Sequence, residues 1–258
     1  MPEAIWSPVH LHRTTGSAPF VLLCEHASLH IPTEFNGLGI DTETATSHAA
    51  WDIGALDVAT ALSDLLDAPL VAGGVSRLVY DCNRPLEAPD AMPAKSEIFA
   101  VPGNEDLTDG ERQNRFGLIH NPFHNTAAEL VRTQRARVGD ALTILTIHSF
   151  TPIYHGGRRE VEIGFLFDKS SAFSEAMHSI EAAGGQFITA LNQPYDATDG
   201  VTYSLRKHGE DHGLDSTMIE IRNDLINTKE KAITMANHLS RSILRSQEAL
   251  ERLRQVSP

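Results

Sequence analysis

Short apolar runs alternate along this chain with longer segments of helical periodicity, and this alternation restricts the fold more than any other feature. The strongest strand signal spans residues 141–147, because this run is apolar, rich in β-branched side chains and uninterrupted. Further buried strands are predicted at residues 20–24, 77–81, 161–167 and 217–221. Alternating strand and helix signals predict an α/β fold with a largely parallel or mixed sheet.

Helical periodicity fills the segments between these runs. Helices are predicted at residues 52–66, 110–138 with a bend near Pro122, 171–183 and 229–254. The segment between Pro85 and Gly110 is rich in Pro and Gly and is predicted to be irregular. With 258 residues and no internal repeat, the chain is predicted to form one domain over residues 1–258.

Charge and composition narrow the classes of function. The formal net charge is −13, and the densest basic run, Arg132, Arg135 and Arg137, is interpreted as a solvated helix face, so a nucleic-acid partner is not expected. No apolar stretch of about 18 residues exists, so no membrane partner is expected. Cys24 and Cys82 are the only cysteines and are predicted to stay unpaired. We expect a cytoplasmic protein, and the oligomeric state stays open.

Ionisable side chains follow the predicted strands. They are Glu25 and His26 after the first run, Asp81 to Arg84 after the second, then His148 and Glu220. In open α/β sheets, ligands bind at the carboxyl ends of strands. Four such ends with ionisable groups are hard to explain by packing alone, so they predict a functional site.

His26 and His148 are the first candidates for a metal site, because neutral imidazole is a good zinc ligand. A catalytic zinc needs a third ligand, and Asp52 is the candidate that we favour. Taken alone, Asp52 is better explained as an N-terminal cap of the helix that it opens. Glu25 and His30 compete for the same role, although Glu25 and His26 should point to opposite faces.

Glu220 lies within an otherwise apolar strand, where a buried carboxylate needs a partner, a metal or a catalytic role. One interpretation is an ion pair with Arg222, which a period of two places on the same face. The interpretation that we favour is a general base that takes a proton from water and passes it to the leaving amine.

Several other side chains are candidates for substrate binding. Asn83 and Arg84 suit a substrate carboxylate, since arginine can bind it through two parallel hydrogen bonds. Arg77, Asp81 and Arg222 could orient groups in the same site. Tyr203 and His208 could come from a loop that covers it. The remaining candidates are His120 and His124, which share a helix face but lack the glutamate of the HExxH pattern.

The chain resembles the N-formylglutamate amidohydrolase family over residues 19–240. The matching blocks are Glu25-His26-Ala27-Ser28 with Ile31-Pro32, HAAWDIGA from His48, SRLVYDCNRP from Ser76, PGN from Pro102, IHNPFH from Ile119, TIHSFTP from Thr146 and IEIRNDLI from Ile219. TIHSF and IEIRND are also similar to strands of zinc carboxypeptidases, and zinc N-acetylmuramoyl-L-alanine amidases show a similar order of site residues. The HxxE motif of the carboxypeptidases is absent, since Leu29 stands three residues after His26.

This resemblance implies a three-layer α/β/α sandwich of the phosphorylase/hydrolase type. It implies a divalent metal, expected to be zinc, bound by His26, Asp52 and His148, with Glu220 as base and Asn83, Arg84 and Arg222 around a substrate carboxylate. The implied substrate is a small acidic N-acyl amino acid, in particular N-formyl-L-glutamate, which would give formate and L-glutamate. The alternatives are a carboxypeptidase-like or cell-wall amidase activity on a larger substrate, and a non-catalytic binder of acidic metabolites.

Overall fold

The computed structural model describes residues 6–195 and 197–256. The described strands are β1 (Val9–His12), β2 (Phe20–Cys24), β3 (Leu70–Gly73), β4 (Lys95–Ser96), β5 (Phe99–Ala100), β6 (Thr143–Phe150), β7 (Ile153–Tyr154), β8 (Gly157–Arg158), β9 (Ile163–Leu166), β10 (Thr189–Leu191) and β11 (Asp215–Arg222). The described α-helices are α1 (Thr42–Thr46), α2 (Ala55–Leu66), α3 (Asp109–Arg115), α4 (Asn121–Val138), α5 (Ala172–Gly184), α6 (Tyr203–His208) and α7 (Lys229–Val256).

Seven of the described strands form one mixed sheet in the order β1-β3-β2-β6-β11-β9-β10. The four central strands, β3, β2, β6 and β11, run parallel to one another. β1 pairs with β3 and β9 pairs with β11 in antiparallel fashion. The pairs β4–β5 and β7–β8 form two small antiparallel ribbons outside this sheet.

Helices cover both faces of the sheet. α2, α5 and α7 lie on one face, while α4 and α6 lie on the other. Alternate residues of β2 bury into the two layers: Phe20 and Leu22 pack toward α2, whereas Val21 and Leu23 pack toward α4. A strand buried on both faces is typical of a parallel sheet between helices. The predicted three-layer α/β sandwich is confirmed.

The helix predicted at residues 110–138 is continuous but changes its winding. A capping box between Thr108 and Glu111 begins α3. A π-helical turn, Phe116–His120, joins α3 to α4, and there the N–H of Asn121 bonds to Phe116 O. Pro122 follows in the first turn of α4 and has no N–H to donate, so the irregular winding coincides with the predicted bend.

One predicted strand is wrong. Residues 77–81 form turns, although Leu78, Val79 and Tyr80 are buried as a strand would be. Their backbone bonds to other loops instead of a ladder, with Arg77 N donating to Ala50 O and Asp81 N to Ala91 O. Burial against loops and α4 produces the same apolar pattern as a sheet.

Cys24 and Cys82 are buried and free, as predicted. No described helix is long and apolar enough to cross a membrane.

Candidate active site

The carboxyl ends of three parallel strands meet at one cavity of about 670 Å³. β2 leads into His26, β6 carries His148 two residues before its end, and β11 carries Glu220 two residues before its end. Together with Asp52, these side chains line the cavity. The four residues that sequence reasoning assigned to metal and base therefore lie in one place.

His26, Asp52 and His148 form a buried cluster whose potential ligand atoms lie within 4.8 Å of one another. Oδ2 of Asp52 lies 2.9 Å from Nδ1 of His148 and 3.3 Å from Nδ1 of His26. Two imidazole nitrogens and a carboxylate oxygen are the donor set of many catalytic zinc sites. These residues could hold a divalent cation.

A carboxylate faces the opposite nitrogen of each histidine. Asp81 Oδ1 lies 2.7 Å from Nε2 of His26, and Glu25 Oε2 lies 3.1 Å from Nε2 of His148. With a proton on each Nε2, the Nδ1 lone pairs would be available to a cation bound beside Asp52. Such outer carboxylates fix the tautomer and the ring orientation of metal-binding histidines. Glu25 is therefore placed to orient His148, not to complete the ligand set, and His30 lies exposed outside the cluster.

These carboxylates also control charge. Burial would lower the pKa of His148, but Glu25 and Asp52 outweigh it and raise the pKa well above 6.5. Burial would raise the pKa of Glu25, but His148 lowers it to about 2. Without a cation, the enclosed cluster thus holds an imidazolium between two carboxylates.

Asp52 does not cap α2. The N-cap is Gly54, and the Asp52 carboxylate instead accepts hydrogen bonds from His148 Nδ1 and from the Ser149 N–H at 3.3 Å. The capping interpretation is therefore wrong. Gly54 adopts φ 81°, and a Cβ there would lie 2.2 Å from Ile226 O, so the turn that delivers Asp52 requires glycine.

Glu220 pairs in register with His148 on β6 and with Gly164 on β9, so it lies beside the histidine cluster. It is 5% exposed, and Oε2 has no hydrogen-bond partner among the described residues. Burial, together with the charge of Asp52, raises its pKa to about 7. A carboxylate with these properties is suited to accept and return a proton near neutral pH.

Arg222 does not pair with Glu220. Its guanidinium bonds to Asp224 at 2.8 Å and to Glu162 at 3.2 Å, and it does not line the cavity. The alternation of side chains along a strand predicted both on one face, but the Arg222 guanidinium binds Asp224 in the following turn and Glu162 in the neighbouring segment. The structure therefore does not place Arg222 with the substrate-binding candidates.

Arg77 lines the cavity and binds the acids around His26. Nη2 donates to Asp81 at 2.6 Å, while Nη1 lies 3.4 Å from Asp52 Oδ1 and 3.2 Å from His26 Nδ1. The guanidinium thereby balances two buried carboxylates. Arg77 thus lies beside the ligand candidates, and its orienting role stays a prediction.

Asn83 and Arg84 also line the cavity, but their polar atoms bind its wall. The Asn83 amide donates to Val201 O and accepts from Ser204 N at 2.9 Å. Arg84 donates to Asp90 at 2.7 Å and to Gly200 O at 2.9 Å. The pair therefore holds the segment before α6 against the turn at residues 81–84.

Four aromatic candidates pack together outside the cavity lining, on α4, on the π-helical turn and on α6. They are His120, His124, Tyr203 and His208. Both nitrogens of His124 are engaged, with Cys82 O at 2.7 Å and His208 Nε2 at 2.8 Å. Burial lowers the pKa of His124 to about 2 and that of His208 to about 4. The three histidines form a buried layer of neutral rings beside the half-buried Tyr203. Tyr203 and His208 lie on a helix instead of a covering loop.

Sequence reasoning missed the aromatic wall around Arg159. Arg159, Tyr154 and Tyr195 line the cavity, and Arg159 Nη1 donates to the Tyr195 hydroxyl at 3.0 Å. The only sequence signal is the basic pair Arg158-Arg159 shortly after His148, which also fits an exposed turn. The contact with Tyr195 spans 36 positions and has no local pattern.

Known proteins resemble this chain in sequence and in fold. Residues 18–227 match the family model of N-formylglutamate amidohydrolase. A crystal structure of a gene product from Agrobacterium tumefaciens is 44% identical, with a TM-score of 0.91 over 95% of this chain and 96% of that chain. The N-formylglutamate amidohydrolase from Ralstonia eutropha JMP134 is 20% identical, with a TM-score of 0.68 over 95% of this chain and 99% of that chain, and it shares the fold. Among curated proteins, none matches significantly. The match over residues 18–227 places the chain in the N-formylglutamate amidohydrolase family.

Proposed function

We propose that this protein is a metal-dependent amidohydrolase that cleaves N-formyl-L-glutamate, or a closely related N-acyl amino acid, to the carboxylic acid and the free amino acid. The observation that carries the proposal is the cluster of His26, Asp52 and His148 beside Glu220 at the base of one cavity. The cavity volume of about 670 Å³ suits a small metabolite.

The three residues fit a divalent cation on chemical grounds. All are at most 3% exposed, and each histidine meets a carboxylate through the nitrogen that faces away from Asp52. Nδ1 of each histidine faces Oδ2 of Asp52, at 3.3 Å for His26 and 2.9 Å for His148, so three donor atoms converge. A bound cation would polarise the amide carbonyl and acidify water.

Glu220 performs the proton transfers in this proposal. With its pKa raised to about 7 by burial, the carboxylate is basic enough to take a proton from the attacking water. The carboxylic acid so formed then gives that proton to the departing amine nitrogen, which would otherwise leave as a poor anion. Proton transfer of this kind contributes about 10²- to 10⁴-fold in rate.

Six described acids line the cavity beside Arg77, Arg84, Arg159 and Lys95, and some of these acids bind Arg77 and Arg84. Arg159, which has no carboxylate partner among the described residues, therefore favours an anionic substrate in spite of the net charge of −13. Local cations can dominate the potential inside a small cavity whatever the sign of the whole protein. An N-acyl amino acid with one or two carboxylates is therefore the substrate class that fits.

The test measures metal content and hydrolysis together. We expect about one divalent metal per purified chain by mass spectrometry. His148→Ala should lose the metal, whereas Glu220→Gln should keep it and lose at least about 10²-fold in kcat. The exposed Glu43→Gln serves as control and should match the parent.

Each other outcome has a definite meaning. Absence of metal after incubation with zinc would overturn the proposal. Metal without formate release, but with cleavage of N-acetyl or peptide substrates, would favour the amidase and carboxypeptidase alternatives. Tight carboxylate binding without any product would favour the non-catalytic binder.

A further inference from the structure

Three arginines among the described residues line the cavity, and they differ in how their charge is balanced. Arg77 bonds to the carboxylates of Asp81 and Asp52, and Arg84 bonds to Asp90. Within the described part of the chain, no Asp or Glu oxygen is recorded within 4.0 Å of Arg159; its polar contacts are the Tyr195 hydroxyl at 3.0 Å and Thr151 O at 3.4 Å. Arg159 therefore brings positive charge to the cavity without a described carboxylate partner.

Aromatic rings hold the Arg159 guanidinium in place. Its central carbon lies 4.4 Å from the ring centre of Tyr154, 4.7 Å from that of Tyr195 and 5.4 Å from that of Phe150. Rings contact a planar guanidinium through its faces and leave its edge free. Nη1 is engaged by Tyr195, whereas Nε and Nη2 donate to no described residue. This edge, which has no partner among the described residues, has the geometry that binds a carboxylate through two parallel hydrogen bonds.

Tyr195 connects this edge to the reacting end of the cavity. Burial and the charge of nearby Glu220 raise the pKa of Tyr195 to about 12, so its hydroxyl stays protonated. The hydroxyl accepts from Arg159 and keeps its own proton to donate. Phe150, whose ring also faces Arg159, lies two residues beyond His148 on β6. Arg159 is thus anchored to the wall that carries the base and a metal-binding candidate.

We propose that Arg159 determines specificity by binding a carboxylate of the N-acyl amino acid through Nε and Nη2. Asn83 and Arg84, whose donors already bind the cavity wall, then shape the cavity instead of supplying the main carboxylate contact. This inference rests on the proposed function, since it names the group that selects the substrate of that site.

The variants are Arg159→Gln, which removes the charge, and Arg159→Lys, which keeps the charge but loses the two-pronged edge. Arg158→Gln is the matched control, because Arg158 has the same side chain at the adjacent position but is 74% exposed outside the cavity. Circular dichroism and thermal melting establish that all three variants fold as the parent does.

The first measurement is KM and kcat for N-formyl-L-glutamate and for its two monoamides, N-formyl-L-glutamine and the α-amide. Arg159→Gln should raise KM for N-formyl-L-glutamate about 30-fold, with kcat within about threefold, because an arginine–carboxylate pair is lost. The KM of Arg159→Lys should lie between those of the parent and Arg159→Gln, and the KM of Arg158→Gln should match that of the parent.

The monoamides identify the carboxylate that Arg159 binds. With the monoamide that lacks this carboxylate, KM of the parent should rise by a similar factor. Arg159→Gln should then raise KM for that monoamide no further. An equal loss on all three substrates, or no change in KM, would overturn the inference while leaving the proposed function intact.

Binding of glutarate, measured by calorimetry, separates the two proposals. If the parent hydrolyses no N-formyl substrate but Arg159→Gln weakens glutarate binding at least tenfold, the proposed function fails and Arg159 is a carboxylate contact for a different ligand. If glutarate binds parent and variant equally, or binds neither, Arg159 is not the carboxylate contact.

Discussion

Glu220 shows how the surroundings of one side chain decide its chemistry. Its strand places it in register with His148, and the same burial that makes a charge costly raises its pKa to about 7. The sequence could identify it, because a single acid in the apolar run MIEI needs an explanation. The sequence could not identify its neighbours, since Arg222 was the nearest basic residue and bonds elsewhere.

The raised pKa has a consequence for stability. Between pH 4.5 and about 7, folded Glu220 holds a proton that the unfolded chain has released, so this group destabilises the fold as pH rises through that window. In chelator-treated protein, Glu220→Gln should therefore raise the free energy of unfolding by about 3 kcal/mol at pH 8 and by little at pH 4.5. Urea unfolding at both pH values measures the difference.

The exposed Glu43→Gln is the control, with an expected change below about 0.5 kcal/mol at either pH. An effect of Glu220→Gln that is the same at pH 8 and pH 4.5 would show that the carboxyl is not perturbed in the folded chain.

At the scale of elements, apolar periodicity correctly predicted strands and helices of the layered core. It failed where apolar residues are buried by loops and not by a sheet. β2, β6 and β11 and the helices α2, α5 and α7 follow from apolar spacing. Residues 77–81 carry the same apolar signal, but loops and α4 bury them. β1 was not predicted, because its residues are exposed or half-buried and show no apolar face. The role of Asp52 was ambiguous, because an aspartate just before a helix can be either a helix cap or a metal ligand. Only the structure shows that Gly54 is the N-cap and that Asp52 lies before it.

That turn gives a prediction for Gly54→Ala. A Cβ at φ 81° and 2.2 Å from Ile226 O requires both an unfavourable backbone conformation and a shift of neighbouring backbone. We expect a loss of about 3 kcal/mol in the free energy of unfolding, together with reduced metal content because Asp52 moves. Denaturant unfolding and metal analysis measure the two effects.

Gly37→Ala is the matched control, since Gly37 has φ 62° but no atom within 4 Å of an added Cβ. Gly37→Ala should lower the free energy of unfolding by about 1 kcal/mol, the contribution of the unfavourable backbone conformation alone, and should leave metal content unchanged. Equal losses in the two variants would mean that the contact with Ile226 does not constrain the turn.

At the scale of the whole molecule, the cluster joins distant parts of the chain. Asp52 precedes α2, His148 lies in a central strand, and Arg77 and Asp81 lie in the turn-rich segment after β3. A cation that binds all three ligands only in the folded state stabilises the entire fold.

Removal of the proposed metal should therefore lower the melting temperature of the parent by roughly 10 °C, corresponding to about 4 kcal/mol at a metal concentration of about a thousand times its Kd. His148 must lose its proton to bind a cation, and its pKa is raised, so the difference should shrink as pH falls, by about 1.4 kcal/mol per unit and per proton. Scanning calorimetry with and without chelator at pH 6 and pH 8 tests this. His148→Ala should show no chelator effect, and an effect in that variant would place the metal elsewhere.

The order of strands in the sheet also bears on how the protein is made. β11 lies between β6 and β9, so these two strands cannot join the same sheet until β11 leaves the ribosome. Roughly 50 residues separate β9 from β11, which corresponds to about 3 to 10 s of synthesis. During this time the nascent chain exposes an unpaired apolar edge of β6, a template for wrong pairing. We expect chaperone demand to be greatest in this interval and to end when Glu220, the proposed base, takes its place.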